Sequence, residues 1–236
     1  MSAVSPPLNR LLRALPAAEL GLIQARLETV ELTKDATLAD AGSPVQRVYL
    51  PHSGIVSMMI SLSDGQSVEV ATIGHDSIVG GSAALYGGPL LTHAIVVVPG
   101  TASMLPAEDF RAAADRSSTF RTLAALHEQT LLAQTQQAVA CGISHPVEAR
   151  LSRWLLRARD LCGSERLPLT QEMLAQMIGV RRNAISIVAH AFQQAGILRY
   201  SRGRIDITDI DGLRKAACEC YATVKAHEEQ LTASVD

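Results

Sequence analysis

Up to about residue 105 the apolar positions alternate with polar ones or run together; beyond it they recur every three or four residues. The first regime is that of strands and the second that of helices. Gln46–Leu50 reads as a strand. Val56, Met58, Ile60 and Leu62 alternate with Ser57, Met59, Ser61 and Ser63, as in a strand buried on one face. Ser63-Asp64-Gly65 supplies a turn, and Val68 and Val70 alternate with Ser67 and Glu69 on the return. Thr92–Val98 is a largely β-branched run, and Thr101–Leu105 follows it across Pro99-Gly100. Short strands at this spacing, punctuated by glycines, predict a jelly roll or barrel.

Pro106-Ala107-Glu108-Asp109-Phe110 then opens a helix, with proline early and acids in the first turn. Ser118 to about Gly142 holds no proline or glycine until its end, which predicts a helix of many turns. Leu123, Leu126, Thr130, Ala133, Gln137 and Ala140 keep three-four spacing along it. The helix reads as a connector and dimer contact, or alternatively as a lone helix packed on the sheet. Pro146 forces a break and pushes His145 towards extended backbone. A fresh helix runs from Pro146 to about Cys162, and a last one from Asp211 to about Glu229.

Leu169–Asp206 carries the most specific pattern. Thr170 suits the N-cap of a helix starting at Gln171, in which Met173, Leu174, Met177 and Ile178 form an apolar stripe. Ala175 is small where a second helix must pack, and Gly179 permits the left-handed turn that ends the first. A second helix runs from about Arg181 to Ala195. Its Ile185, Val188, Ala189 and Phe192 face inward, and Arg181, Arg182, Asn183 and Ser186 lie at its exposed start. Ile197–Tyr200 and Arg204–Ile207 flank Ser201-Arg202-Gly203 as a hairpin. This is a helix-turn-helix with a wing, a geometry that offers the second helix to the major groove of duplex DNA.

The chain has a formal net charge of −2, which argues against a general polyanion binder. The charge is uneven, however. Residues 144–204 carry ten arginines against four acids, whereas residues 1–143 carry eight basic and twelve acidic side chains. Arginine suits bidentate contacts to phosphate and guanine. Arg150, Arg153, Arg157 and Arg159 read more simply as a solvated helix face. No apolar run is long enough for a membrane span, and Met1–Pro7 has no leader pattern, so a cytoplasmic location is expected. Cys141, Cys162, Cys218 and Cys220 make no disulfide framework. Cys218-Glu219-Cys220, placed on a helix, would point its thiols about 200° apart. Ordinary thiols or a redox role are expected there, with no metal and no cofactor. No nucleophile elbow, phosphate-binding loop or H-x-H metal pattern appears, so no catalytic residue is expected.

Order and motif together resemble the Crp/Fnr family of bacterial transcription regulators, from about Leu8 to Thr208. The resemblance is strongest in Leu169–Ala175, Ile178–Arg182 and Ala195–Leu198. It implies an α+β fold in three parts. Residues 1–117 form a β-roll (double-stranded β-helix or jelly roll) with an N-terminal helix. Residues 118–143 form a long connecting dimerisation helix, and residues 144–236 a winged helix-turn-helix domain with a C-terminal helix. It also implies a homodimer on a roughly palindromic double-stranded DNA site, with RNA polymerase as a further partner if the chain activates. Arg182 falls where members commonly read guanine, and Asn183 replaces a usual acidic residue, which shifts the preference from cytosine towards adenine. Arg181 and Ser186 join them, and Thr170, Gln171 and Arg202 suit phosphate contacts. A signalling module whose helix-turn-helix meets protein is the alternative.

Cyclic-nucleotide-binding members carry a Gly-Glu-Leu-type turn and a later Arg-Ser/Thr pair. Here the corresponding stretches are Val79-Gly80-Gly81-Ser82-Ala83-Ala84 and Thr92-His93. Without the carboxylate or the arginine, cAMP in the usual mode is not expected. No cysteine precedes Cys141, so the N-terminal iron–sulfur mode is absent as well. His52, His75 and His93 are available as haem ligands, though each reads better as an ordinary histidine. An unknown effector is expected beside Gly81, Ser82, Thr92 and His93.

Overall fold

The computed structural model describes residues 9–233, with side chains through Glu229. Met1–Leu8, including the stretch inspected for a leader, and the last three residues lie outside the described residues. Helices α1 (Arg10–Ala14) and α2 (Ala17–Gln24) come first. Buried Asn9 fixes α1: its side-chain oxygen accepts from the N–H groups of Leu11 and Leu12, and its amide donates to the carbonyls of Pro51 and Ser77. Next come β1 (Glu28–Leu32), β2 (Thr37–Ala39), β3 (Arg47–Pro51), β4 (Ile55–Ser61), β5 (Ser67–Ile73), α3 (Gly81–Tyr86), β6 (His93–Val98) and β7 (Gly100–Pro106). They pair antiparallel as β1-β7-β3 and β2-β6-β4-β5. The two sheets close on Leu32, Val56, Met58, Ile73, Val96 and Ala102, which makes the expected roll. The alternation within β3 is plain: Val48 and Leu50 face the helices, and Tyr49 faces the roll interior.

Helix α4 (Ala107–Arg116) leads into α5 (Ser118–Ser144). Ser117 caps α5, its side-chain oxygen accepting from the N–H of Phe120 at 2.9 Å. Phe110 and Phe120 meet edge to face with ring centroids 4.9 Å apart. Leu123 and Ala124 join that core, so this face of α5 packs on its own roll. Of the stripe read from sequence, Leu123 is buried in the chain's own core and Gln137 donates to Cys220, while Leu126, Thr130 and Ala133 are half-buried and Ala140 is exposed. The exposed stripe is Ala125, Gln129, Leu132, Gln136, Val139 and Ile143, spaced alternately four and three. It includes Leu132, Val139 and Ile143 at 58%, 60% and 83% exposure. Among the described residues, no helix is long and apolar enough to cross a membrane.

After Pro146 the chain forms α6 (Val147–Cys162), β8 (Arg166–Leu167), α7 (Gln171–Ile178), α8 (Arg182–Gln194), β9 (Leu198–Ser201), β10 (Arg204–Ile207), α9 (Ile210–Ala216) and α10 (Cys220–Ala233). The last helix predicted from sequence is thus two. It breaks at Ala217–Glu219, where α9 ends in extended backbone at Ala217 (φ −75°, ψ 149°), so Cys218 lies in a turn. Helix α10 then runs back beside α5, bonded to it through Gln134–Glu228 at 2.8 Å and Gln137–Cys220 at 3.0 Å.

The C-terminal domain rests on the outer face of the four-stranded sheet. Ile55, Met59 and Val97 of the roll share one apolar cluster with Trp154, Leu155, Leu161, Leu174 and Met177. Strand β4 is consequently buried on both faces over its first five residues, against the expectation of one. Covering side chains of this size stabilises by about 1.5–3 kcal/mol each relative to exposure.

Candidate nucleic-acid interface

The turn between α7 and α8 is built as its residues dictate. The Thr170 hydroxyl accepts from the N–H of Met173 at 3.2 Å and so starts α7. Gly179, at φ +68°, ends it, and the N–H of Val180 returns to the carbonyl of Ala175 at 3.0 Å. A β-carbon at Gly179 would also press on Val68 of the roll at 3.2 Å. Leu174, Ala175, Ile178, Ile185, Ala189 and Phe192 are buried, so the facing sides of α7 and α8 are fully used.

The opposite side of α8 is open. Arg181, Arg182 and Asn183 are exposed, and no side chain caps the helix. Arg182 has its Nε 3.7 Å from a Glu172 oxygen, with both side chains largely in solvent, a loose pair of little energetic weight. Ser186 is half-buried and donates to Oε1 of Gln171 at 2.7 Å, which ties the start of α7 to α8. Arg202 is exposed in the β9–β10 turn. Thr170, Gln171, Arg181, Arg182, Asn183 and Ser186 thus all belong to the starts of α7 and α8, and Arg202 to the wing.

The ten arginines divide into sets that sequence does not separate. Arg166 and Arg204 both pair with Asp206, at 3.0 and 3.3 Å. Arg150, Arg153, Arg157 and Arg159 are not a solvated face: all four are at least half-buried at the domain junction. Arg150 donates to the carbonyl of Ile178, at the end of α7. Arg157 lies 2.8 Å from Asp76 of the roll and 3.3 Å from Glu228 of α10. Arg181, Arg199 and Arg202 have no ion pair among the described residues and remain facing outward.

A cavity of about 410 Å³ lies between the halves, lined by Glu69, Asp76, Arg153, Arg157, Tyr221 and Lys225 among others. Burial raises the Glu69 carboxyl, against hydrogen bonds from Ser57, Thr72 and Trp154. Burial alone would raise Asp76 too, but the Arg157 guanidinium outweighs it and holds that carboxyl below its ordinary value. Burial pushes Glu228 up to about 7. Sequence reasoning misses Asp76, Tyr221, Lys225 and Glu228 as members of a shared site. The one signal it offers is Trp154, the only tryptophan in the chain.

The expected effector residues fall in two places. Gly81 is buried at the start of α3, and the N–H of Ser82 donates to Oε1 of Glu128 on α5 at 3.0 Å. That carboxylate also lies 3.6 Å from His127, whose Nε2 accepts from the N–H of Ile78 at 2.9 Å. Thr92 and His93 sit at the start of β6, where the His93 ring is 3.4 Å from Asp40. His52 is hydrogen-bonded to Ser103 at 2.8 Å. None of Gly81, Ser82, Thr92 and His93 lines the 410 Å³ cavity.

Comparison with known proteins finds matches in two separate parts of the chain. Residues 29–117 match the cyclic nucleotide-binding domain family and residues 149–216 the Crp-like helix-turn-helix domain family. The CRP-like cAMP-activated global transcriptional regulator of Mycobacterium tuberculosis is 23% identical over 206 residues, which span 84% of this chain and 92% of that protein. Among solved structures, FixK2 from Bradyrhizobium japonicum superposes with a TM-score of 0.69 at 17% identity, covering 81% of this chain and 98% of its own. The c-di-GMP-responsive global regulator CLP of Xanthomonas campestris superposes at 0.68 with 14% identity, covering 82% and 100%. These two share the fold.

Proposed function

The chain belongs to the Crp/Fnr family of transcription regulators, and on that premise we propose that it binds a specific, roughly palindromic double-stranded DNA site as a homodimer, with α8 in the major groove. One observation carries this reading. Arg181, Arg182 and Asn183 stand in solvent at the start of a helix whose other side is buried, and Arg202 is exposed in the β9–β10 turn that follows that helix. On this reading Arg182 and Asn183 meet base edges; Arg181 and Ser186 support them; Thr170, Gln171 and Arg202 meet phosphate. The exposed stripe of α5, Ala125 to Ile143, has the three-four spacing of a two-helix seam and pairs with its copy. Two such copies set their α8 helices about 34–36 Å apart, one turn of duplex. The protein acts in the cytoplasm, with RNA polymerase as a further partner if it activates.

The effector, on the same reading, is not cAMP held in the usual way. The N–H of Ser82, which an anion at this turn would seek, already serves the Glu128 carboxylate. A second anion would meet that charge with no arginine in Val79–Ala84 or at Thr92-His93 to offset it. An effector beside Gly81, Ser82, Thr92 and His93 must be uncharged or cationic there, or must displace Glu128.

Selection of bound duplexes from a random pool, followed by salt titration of the best site, tests the proposal. A preferred palindrome whose binding weakens steeply with salt is the expected result. No preference among sequences would overturn it and favour protein contacts instead.

A further inference from the structure

Four side chains with metal-binding atoms meet at the hinge. Cys141 and His145 lie one turn apart at the end of α5, a spacing that aims both the same way. Cys218 lies in the break between α9 and α10 and Cys220 begins α10, and the break is what lets both thiols turn inward. Sγ of Cys141 is 3.5 Å from Sγ of Cys218, and Sγ of Cys220 is 3.6 Å from Nδ1 of His145. All four donor atoms lie within 4.8 Å of one another, with the cysteines buried and the histidine half-buried. Metal–sulfur bonds of about 2.3 Å and metal–nitrogen bonds of about 2.0–2.1 Å give a tetrahedron with edges of roughly 3.6–3.8 Å. The Cys141–Cys218 and Cys220–His145 separations match that size, and the remaining ones, up to 4.8 Å, exceed it by about 1 Å at most. They are too short for a multi-iron cluster, whose irons and sulfides hold the thiolates further apart.

The surroundings fit a cation as well. Oε1 of Glu219 is 3.2 Å from Nε2 of His145, so the carboxylate holds a proton there and leaves Nδ1 free to ligate. Gln137 donates from Nε2 to Sγ of Cys220 at 3.0 Å, a bond that favours thiolate. Cys162 stands apart, raised to about 11 by burial alone.

We propose that Cys141, His145, Cys218 and Cys220 bind one thiophilic divalent cation, zinc, in tetrahedral Cys3His coordination, clamping the end of the connector helix to the turn before the C-terminal helix. Three sulfurs and an imidazole select zinc over magnesium or calcium. Each thiol releases its proton to solvent as its sulfur binds the metal.

The full-length chain, incubated with zinc chloride and desalted, is expected to retain about one zinc per chain by elemental analysis. Cys220→Ser and His145→Ala should lose it, and Cys162→Ser should keep it. Cobalt(II) as a probe should give the intense visible bands of a tetrahedral sulfur-rich site, absent in Cys220→Ser. In the unaltered chain, zinc should protect Cys141, Cys218 and Cys220 from alkylation and leave Cys162 unchanged, a readout that needs no variant to fold. Zinc content equal to that of the Cys220→Ser variant, or alkylation of all four thiols at rates that zinc does not alter, would overturn the proposal. So would a Cys141–Cys218 disulfide that forms regardless of zinc.

Discussion

Nε1 of Trp154, on the first helix after the hinge, donates a 2.7 Å hydrogen bond to Oε1 of Glu69 on the roll. The bond lies at the foot of the apolar seam that joins the halves, and Thr72 and Ser57 donate to the same carboxylate. Trp154→Phe keeps most of the ring and deletes the donor. Leaving a buried carboxylate short of one partner is expected to cost about 1–3 kcal/mol, measured by urea denaturation. Unchanged stability would show that this hydrogen bond adds nothing to the joint between the halves.

Burial raises Glu228 from 4.5 to about 7. Between those values the folded chain keeps a proton that the unfolded chain has released, so stability falls as pH rises through this window. Glu69, raised by burial as well, acts in the same direction. Thermal denaturation from pH 4.5 to about 7 should therefore show a lower Tm at the upper end. Glu228→Gln should flatten that slope while keeping the bond to Gln134.

Arg182→Ala is expected to weaken binding to the selected site by about 1–3 kcal/mol and to relax preference at one base pair. Arg202→Ala should weaken all sequences alike and lower the salt slope by about 1, as loss of a phosphate contact does. Fluorescence anisotropy on matched and mismatched duplexes separates the two.

Leu132→Glu and Ile143→Glu place charge on side chains that are 58% and 83% exposed in the single chain. Both should leave the fold intact by circular dichroism and shift the sedimentation coefficient from dimer to monomer. A dimer that survives both changes would move the interface off this face of α5.

Calorimetric titration with cAMP should give no saturable heat. Glu128→Ala should be the variant that gains affinity for anions, because it frees the N–H of Ser82. Saturable binding by the unaltered chain would mean that Glu128 swings aside.

Features set by neighbours along the chain are legible in the sequence. Thr170 as a cap, Gly179 as a left-handed turn and the Ala175–Gly179–Ile185 spacing each act within a few residues, and the helix-turn-helix follows from them. So do the outward positions of Arg181, Arg182 and Asn183. What depends on partners distant along the chain is hidden. Ser57 and Ser61 occupy equivalent polar places in one strand, yet Ser57 is buried under Met177 and Ser61 is exposed. Nothing near either residue says where the second domain will land. The same holds for Arg157, which sequence assigns to a solvated face and the fold sets against Asp76 and Glu228. The break at Ala217–Glu219 carries no proline or glycine, so Cys218 and Cys220 read as opposite faces of one helix. Their convergence on Cys141 and His145 requires the return of α10 along α5.

That return path also limits how the two halves can move. A body attached at one end swings like a door; one attached at both ends does not. The C-terminal domain of this chain is joined to the long helix where it leaves at Pro146, and again where α10 comes back past Gln134 and Gln137. A swing about Pro146 alone would therefore have to break the Gln134–Glu228 and Gln137–Cys220 bonds.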